Sequence, residues 1–152
     1  RYLLFLSFLM YQKFNIQYVI SYLGLTPYLF LIIDKYFFFQ IKEHFLENFL
    51  IYYTLIIFVF IGSINWNLNV KVKNYIAVYG SLPSFISVII IILNLLEFST
   101  FLSIFLIIFF ISFQLILDYF LIYSETKNKK PYYFLRLPLT FFIITVLIFS
   151  IF

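Results

Sequence analysis

Cysteine is absent from the 152-residue chain. That excludes disulfides, iron–sulfur clusters, thiolate zinc sites and cysteine nucleophiles, because each needs a sulfur ligand or a thiolate. A single histidine, His44, rules out bis-histidine haem ligation within the chain and leaves no second imidazole for a transition metal. Charge is equally scarce. Asp, Glu, Lys and Arg make up 11% of the residues, against about 25% in a soluble domain. Ten cations and six acids cannot coat a globule of this size, so a water-soluble enzyme is excluded. The net charge of +4, spread over several loops, suits lysines beside anionic lipid better than nucleic acid, which calls for a clustered basic face.

What is present is apolar. Hydrophobic residues make up 65% of the chain and aromatics 26%, and mean hydropathy is +1.09, the composition of an integral membrane protein. Phe, Tyr, Met, Ile, Asn and Lys together supply 81 of 152 residues, whereas Gly, Ala, Arg and Pro supply 10. That bias points to a very AT-rich coding genome, as in protist organelles. Because the chain opens at Arg1 and not at methionine, a removed targeting segment or a partial sequence is expected.

Five membrane spans are predicted, at about residues 17–33, 49–65, 75–96, 101–123 and 135–152. The first ten residues, RYLLFLSFLM, would reach only about 15 Å as a helix, half the hydrocarbon core, so they do not cross alone. Gly24 and Pro27 predict a bend in the first span, tolerable if a neighbouring helix satisfies the freed carbonyl. Residues 35–48 alternate apolar Phe37, Phe38, Ile41 and Phe45 with polar Gln40, Glu43, His44 and Glu47 at helical period, which reads as an interfacial amphipathic helix. Positions 101–117 carry 14 Phe, Leu or Ile, worth roughly 4–8 kcal/mol of insertion. One central Asp costs about 3, so Asp118 does not prevent insertion. With short connections and no repeat or second domain, the fold class is an all-α membrane bundle in one domain, 1–152.

Lysine and arginine set the expected orientation. Arg1, Lys13, Lys71, Lys73, Lys127, Lys129, Lys130 and Arg136 fall on one face, against Lys35 and Lys42 on the other, which places the amino terminus on the untranslocated side.

Few residues carry chemistry. Asp118 lies about 7–8 Å inside the end of the fourth span, and Arg136 opens the fifth on the same face, so a structural ion pair is expected. Ion or proton transfer through that pair is the rival reading. Arg136 with Lys129 and Lys130 forms a candidate phospholipid headgroup site. Trp66, the only tryptophan, reads as an interfacial anchor beside lipid. Glu97, just before the fourth span, is expected to favour that helix's amino terminus. Ser81, Ser84 and Ser87 line one helical stripe; with no histidine base near them, helix-to-helix hydrogen bonding is the expected role and not nucleophilic catalysis. His44 is expected to be solvated or lipid-facing. No catalytic residue, metal site or cofactor is assigned.

Read in order, LGLTPYLF at 23–30, FIGSINW at 60–66, YGSLPSF at 79–85, the Asp118 region and PYYFLRLPLT at 131–140 resemble the transmembrane protein 69 family. The matching positions are Gly62, Ile64 and Trp66; Ser81, Leu82 and Pro83; and the most specific run, Arg136, Leu137, Pro138, Leu139 and Thr140. Asn65 stands where the family usually has histidine, so imidazole chemistry is not carried over there. The resemblance covers the chain from about Gly24 and implies a small multi-span protein of bacteria or mitochondria.

Composition, the missing redox ligands and this resemblance together lead us to expect an accessory, non-catalytic subunit of a respiratory (oxidative-phosphorylation) complex. It would sit in the mitochondrial inner membrane with its amino terminus toward the matrix. Its expected partners are the complex's other integral subunits and membrane phospholipids, cardiolipin among them, and not nucleic acid. A small carrier or channel using Asp118 and Arg136, or an assembly factor of such a complex, are the alternatives.

Overall fold

A computed structural model describes residues 16–38, 41–64, 74–124, 126–127 and 129–151. Every regular element among them is helical. Two short helices, α1 (Ile16–Leu23) and α2 (Thr26–Ile33), lead into a π-helical turn, Asp34–Phe38. Then come α3 (Glu43–Ser63), α4 (Asn74–Leu95) and α5 (Thr100–Asp118), the last extended by a π-helical turn, Tyr119–Tyr123. A third π-helical turn, Tyr132–Arg136, opens α6 (Leu137–Ile151). Four helical stretches, Glu43–Ser63, Asn74–Leu95, Thr100–Tyr123 and Tyr132–Ser150, are long and apolar enough to cross a bilayer. The chain is thus an all-α, multi-pass membrane bundle.

The expected first span is broken. Gly24 and Leu25 form a turn between α1 and α2, and Pro27 lies in the first turn of α2, where its missing N–H costs nothing. The Tyr53 hydroxyl of α3 donates to the Gly24 carbonyl at 2.7 Å, so the carbonyl at the break finds its partner on a neighbouring helix. Pro138 poses the same problem near the start of α6. The carbonyl four residues back belongs to Phe134, and the Tyr22 hydroxyl of α1 donates to it, while the Leu137 N–H reaches back to the Tyr132 carbonyl in a π-type step.

The interfacial helix expected over 35–48 does not form as a separate element. Asp34–Phe38 continues α2, Lys42 is extended (φ −61°, ψ 133°), and residues 43–48 are the first turns of α3. The reason is local. Nothing between Glu43 and Phe60 breaks a helix, so the backbone runs straight through the change from polar to apolar that marks where α3 enters the membrane. Phe37, Phe38 and Phe45 point out of the bundle, whereas Ile41 packs on the core. Gln40 lies outside the described residues.

Helix α3 forms the middle of the bundle and packs against α2, α4, α5 and α6. Its buried residues Leu46, Leu50, Ile51, Thr54, Leu55, Phe58 and Gly62 recur at three- and four-residue steps, the stripe a helix needs to bury one face. In a bilayer, lipid is as apolar as leucine, so association rests on close packing and interhelical hydrogen bonds. Both are present. A Cβ on Gly62 would lie 2.7 Å from the Gly80 carbonyl and from Pro83 Cγ, so α3 and α4 touch where glycine lets them. Deeper in, Tyr28 donates to Thr54 Oγ1 at 2.8 Å, and Thr54 donates on to the Leu50 carbonyl at 2.7 Å.

Candidate functional site

The site is built at the end of the bundle where α5 stops and the last helical stretch begins. Asp118 closes α5 at 1% exposure, and Arg136 is the last residue of the π-helical turn before α6. Because the two stretches run antiparallel across a short connection, both side chains arrive at one level. The Arg136 guanidinium donates to Asp118 Oδ2. Tyr79, in the second turn of α4, donates to Asp118 Oδ1 at 2.6 Å and lies 3.1 Å from the Gln114 carbonyl. One carboxylate therefore ties together three helices.

Aromatic rings close over this cluster. Tyr132 donates to the Leu115 carbonyl at 3.3 Å, and its ring lies 5.2 Å from Tyr119, 5.4 Å from Tyr123 and 5.4 Å from Tyr133. Lys129 Nζ stands 5.3 Å over the Tyr119 ring, a cation–π contact at the rim. Removing two charges from water costs several kcal/mol each, and their attraction offsets that only when the remaining lone pairs are satisfied. Tyr79 satisfies the second carboxylate oxygen. Chemically the arrangement is a clamp: the acid accepts from Tyr79 and Arg136, and it is buried from water.

Among the residues expected to bind lipid, the structure separates three roles. Lys129 is half-buried on Tyr119, and Lys130 is exposed at the start of the last helical stretch. Arg136 is committed to Asp118, with its side chain 11% exposed, and an unpaired acid at that depth would be costly. Trp66 and Asn65 lie outside the described residues, as do Arg1, Lys13, Lys71 and Lys73.

Glu97 has a further role, and the expectation for the serines is corrected. Glu97 lies two residues before Ser99, the N-cap of α5. It adopts a left-handed conformation, φ 57°, and closes the end of α4: the Phe98 N–H donates to the Leu93 carbonyl and the Glu97 N–H to Asn94, both at 3.2 Å, the pattern of a Schellman cap. The three serines do not join helices. Ser81 donates to Val78 of its own helix at 2.8 Å, Ser84 is exposed, and Ser87 is buried with no partner among the described residues.

Sequence reasoning missed Tyr79, since one tyrosine among 14 carries no signal. It also missed a polar cluster at the far end. There Asn94 of α4 donates to Asn48 Oδ1 and to the Tyr52 hydroxyl, each at 3.0 Å, and Asn48 Nδ2 lies 3.1 Å from His44 Nε2. Asn94 gains its partners only from the pairing of α3 with α4.

No family model, curated protein or solved structure matches the chain. Its role is therefore argued from the geometry and the sequence.

Proposed function

We propose that the protein is a non-catalytic integral subunit of a respiratory complex of the mitochondrial inner membrane, holding neighbouring subunits and lipid in place. The observation that carries this reading is the closure of Asp118. The acid nearest the middle of a span is 1% exposed and held by Tyr79 and Arg136, and it does not line the groove found at the other end of the bundle. A residue that passes ions or protons needs water or a path beside it; a residue that locks helices needs only its donors.

The outer surface supports the same role. Phe85, Phe105, Phe109, Phe113 and Phe141 all project from the bundle, offering rings to lipid or to a neighbouring helix. Phe109 and Phe113 stack at 6.3 Å, so part of that surface is already ordered. The mitochondrial setting draws on the organelle-like composition and on the resemblance to the transmembrane protein 69 family, and the orientation draws on the lysine-rich face.

Native gel electrophoresis after mild detergent extraction tests this reading. The protein should migrate with a respiratory assembly. Migration as a free monomer while the respiratory complexes stay intact would overturn it. So would loss of an ion or metabolite flux in vesicles carrying Asp118→Asn, if the protein remains assembled.

A further inference from the structure

At the end of the bundle opposite Asp118, an apolar groove opens between α2, α3 and α6. Leu46, Leu50 and Val146 form its floor, and Lys35, Glu43 and Glu47 stand at its rim. The two glutamates are one turn apart on α3 and so share a face. Lys35 comes from the opposite wall, in the π-helical turn after α2, with Nζ 3.0 Å from the Ser150 carbonyl. That bond uses one of three ammonium donors. Among the described residues, no cation lies within ion-pair distance of Glu43 or Glu47.

The rim and the floor of the groove lie at different membrane depths. Going from Glu43 to Leu50 descends α3 by about 10 Å. Glu43 opens the span, so the charged rim sits at the membrane surface and the leucine floor in the hydrocarbon. We propose that this groove binds one phospholipid with an ethanolamine headgroup. Its phosphate would meet Lys35, its ammonium would meet Glu43 and Glu47, and an acyl chain would lie along Leu46, Leu50 and Val146.

The choice of headgroup follows from charge. An anionic phosphatidylglycerol would face two carboxylates, and the one cation lining the groove, Lys35, is partly used. Phosphatidylcholine carries a positive charge of the right sign, but its trimethylated nitrogen has no N–H to donate to a carboxylate. Ethanolamine supplies three such donors, and charge-assisted hydrogen bonds are about twice as strong as neutral ones. The site is distinct from Lys129 and Lys130 at the other end, and it rests on membrane embedding, not on the identity of a host complex.

Native mass spectrometry of the purified full chain, with phosphatidylethanolamine, phosphatidylcholine or phosphatidylglycerol added in mild detergent, tests the proposal. One phosphatidylethanolamine should be retained, at least tenfold more tightly than either of the others. The double variant Glu43→Gln/Glu47→Gln should lose that preference while its helical circular dichroism stays intact. Should the double variant not fold, Glu47→Gln alone should reduce the preference at least threefold. Lys35→Gln should weaken retention of all three lipids, since each presents the phosphate. Equal retention of all three lipids by the unaltered protein would overturn the proposal. So would a preference for phosphatidylglycerol, or an ethanolamine preference that survives the loss of both carboxylates.

Discussion

Replacing Asp118 by Asn keeps the volume and removes the charge, and it should cost about 3–5 kcal/mol, because it strands the Arg136 guanidinium, 11% exposed, without its counter-ion. Arg136→Gln should cost about 3 kcal/mol, because it leaves the buried Asp118 carboxylate without its counter-ion. The Tyr79 hydroxyl, 2.6 Å from Oδ1, still satisfies one oxygen in that variant. In the double variant Asp118→Asn/Arg136→Gln, two neutral amides face one another and can hydrogen-bond, so the total should be no more than about 3 kcal/mol where additivity would give about 6–8 kcal/mol. The coupling is the signature of the pair. Equilibrium unfolding in mixed micelles, followed by circular dichroism as denaturing detergent is added, reads all three variants against the unaltered protein. Tyr79→Phe removes one charge-assisted hydrogen bond and should cost about 1.5–3 kcal/mol in the same assay. An Asp118→Asn protein within about 0.5 kcal/mol of the original, a margin typical of uninvolved surface positions, would refute the clamp. Single-variant costs that simply add would refute the coupling.

Glu97→Gly should stabilise the bundle by about 1 kcal/mol, since a non-glycine residue at φ 57° bears a Cβ clash that glycine lacks; a loss of stability would show that the Glu97 side chain holds the turn. Gly62→Ala should destabilise by about 1–3 kcal/mol, because the added methyl meets a backbone carbonyl and a proline ring at 2.7 Å and neither can turn aside; an unchanged midpoint would mean that α3 and α4 part easily. The chain has no cysteine, so single cysteines can be read cleanly: Lys42→Cys and Ser99→Cys should label from one side of the membrane and Lys129→Cys from the other. Labelling of all three from the same side would sink the antiparallel arrangement.

The sequence alone determined that this is a membrane bundle, because insertion depends on summed side-chain transfer energies that take no account of partners. The apolar runs near residues 49–65, 75–96, 101–123 and 135–152 announce helices for that reason, and four helices occupy those regions. Gly24 and Pro27 foretold the bend, since both act on their own backbone, and the meeting of Asp118 with Arg136 was legible because both lie at the same end of consecutive spans. Interactions between distant segments were decided only by the tertiary structure. Tyr79 reaches Asp118 across 39 residues, and Tyr53 and Tyr22 find the Gly24 and Phe134 carbonyls, although in the sequence they are three tyrosines among 14. Glu97 was legible as a residue ahead of α5, whereas its left-handed backbone, which ends α4, was visible only in the structure. Residues 35–48 looked like a separate helix on the membrane surface. Positions 43–48 of that stretch became the first turns of α3 because hydrogen bonds along a helix do not register where the membrane begins, whereas hydropathy does.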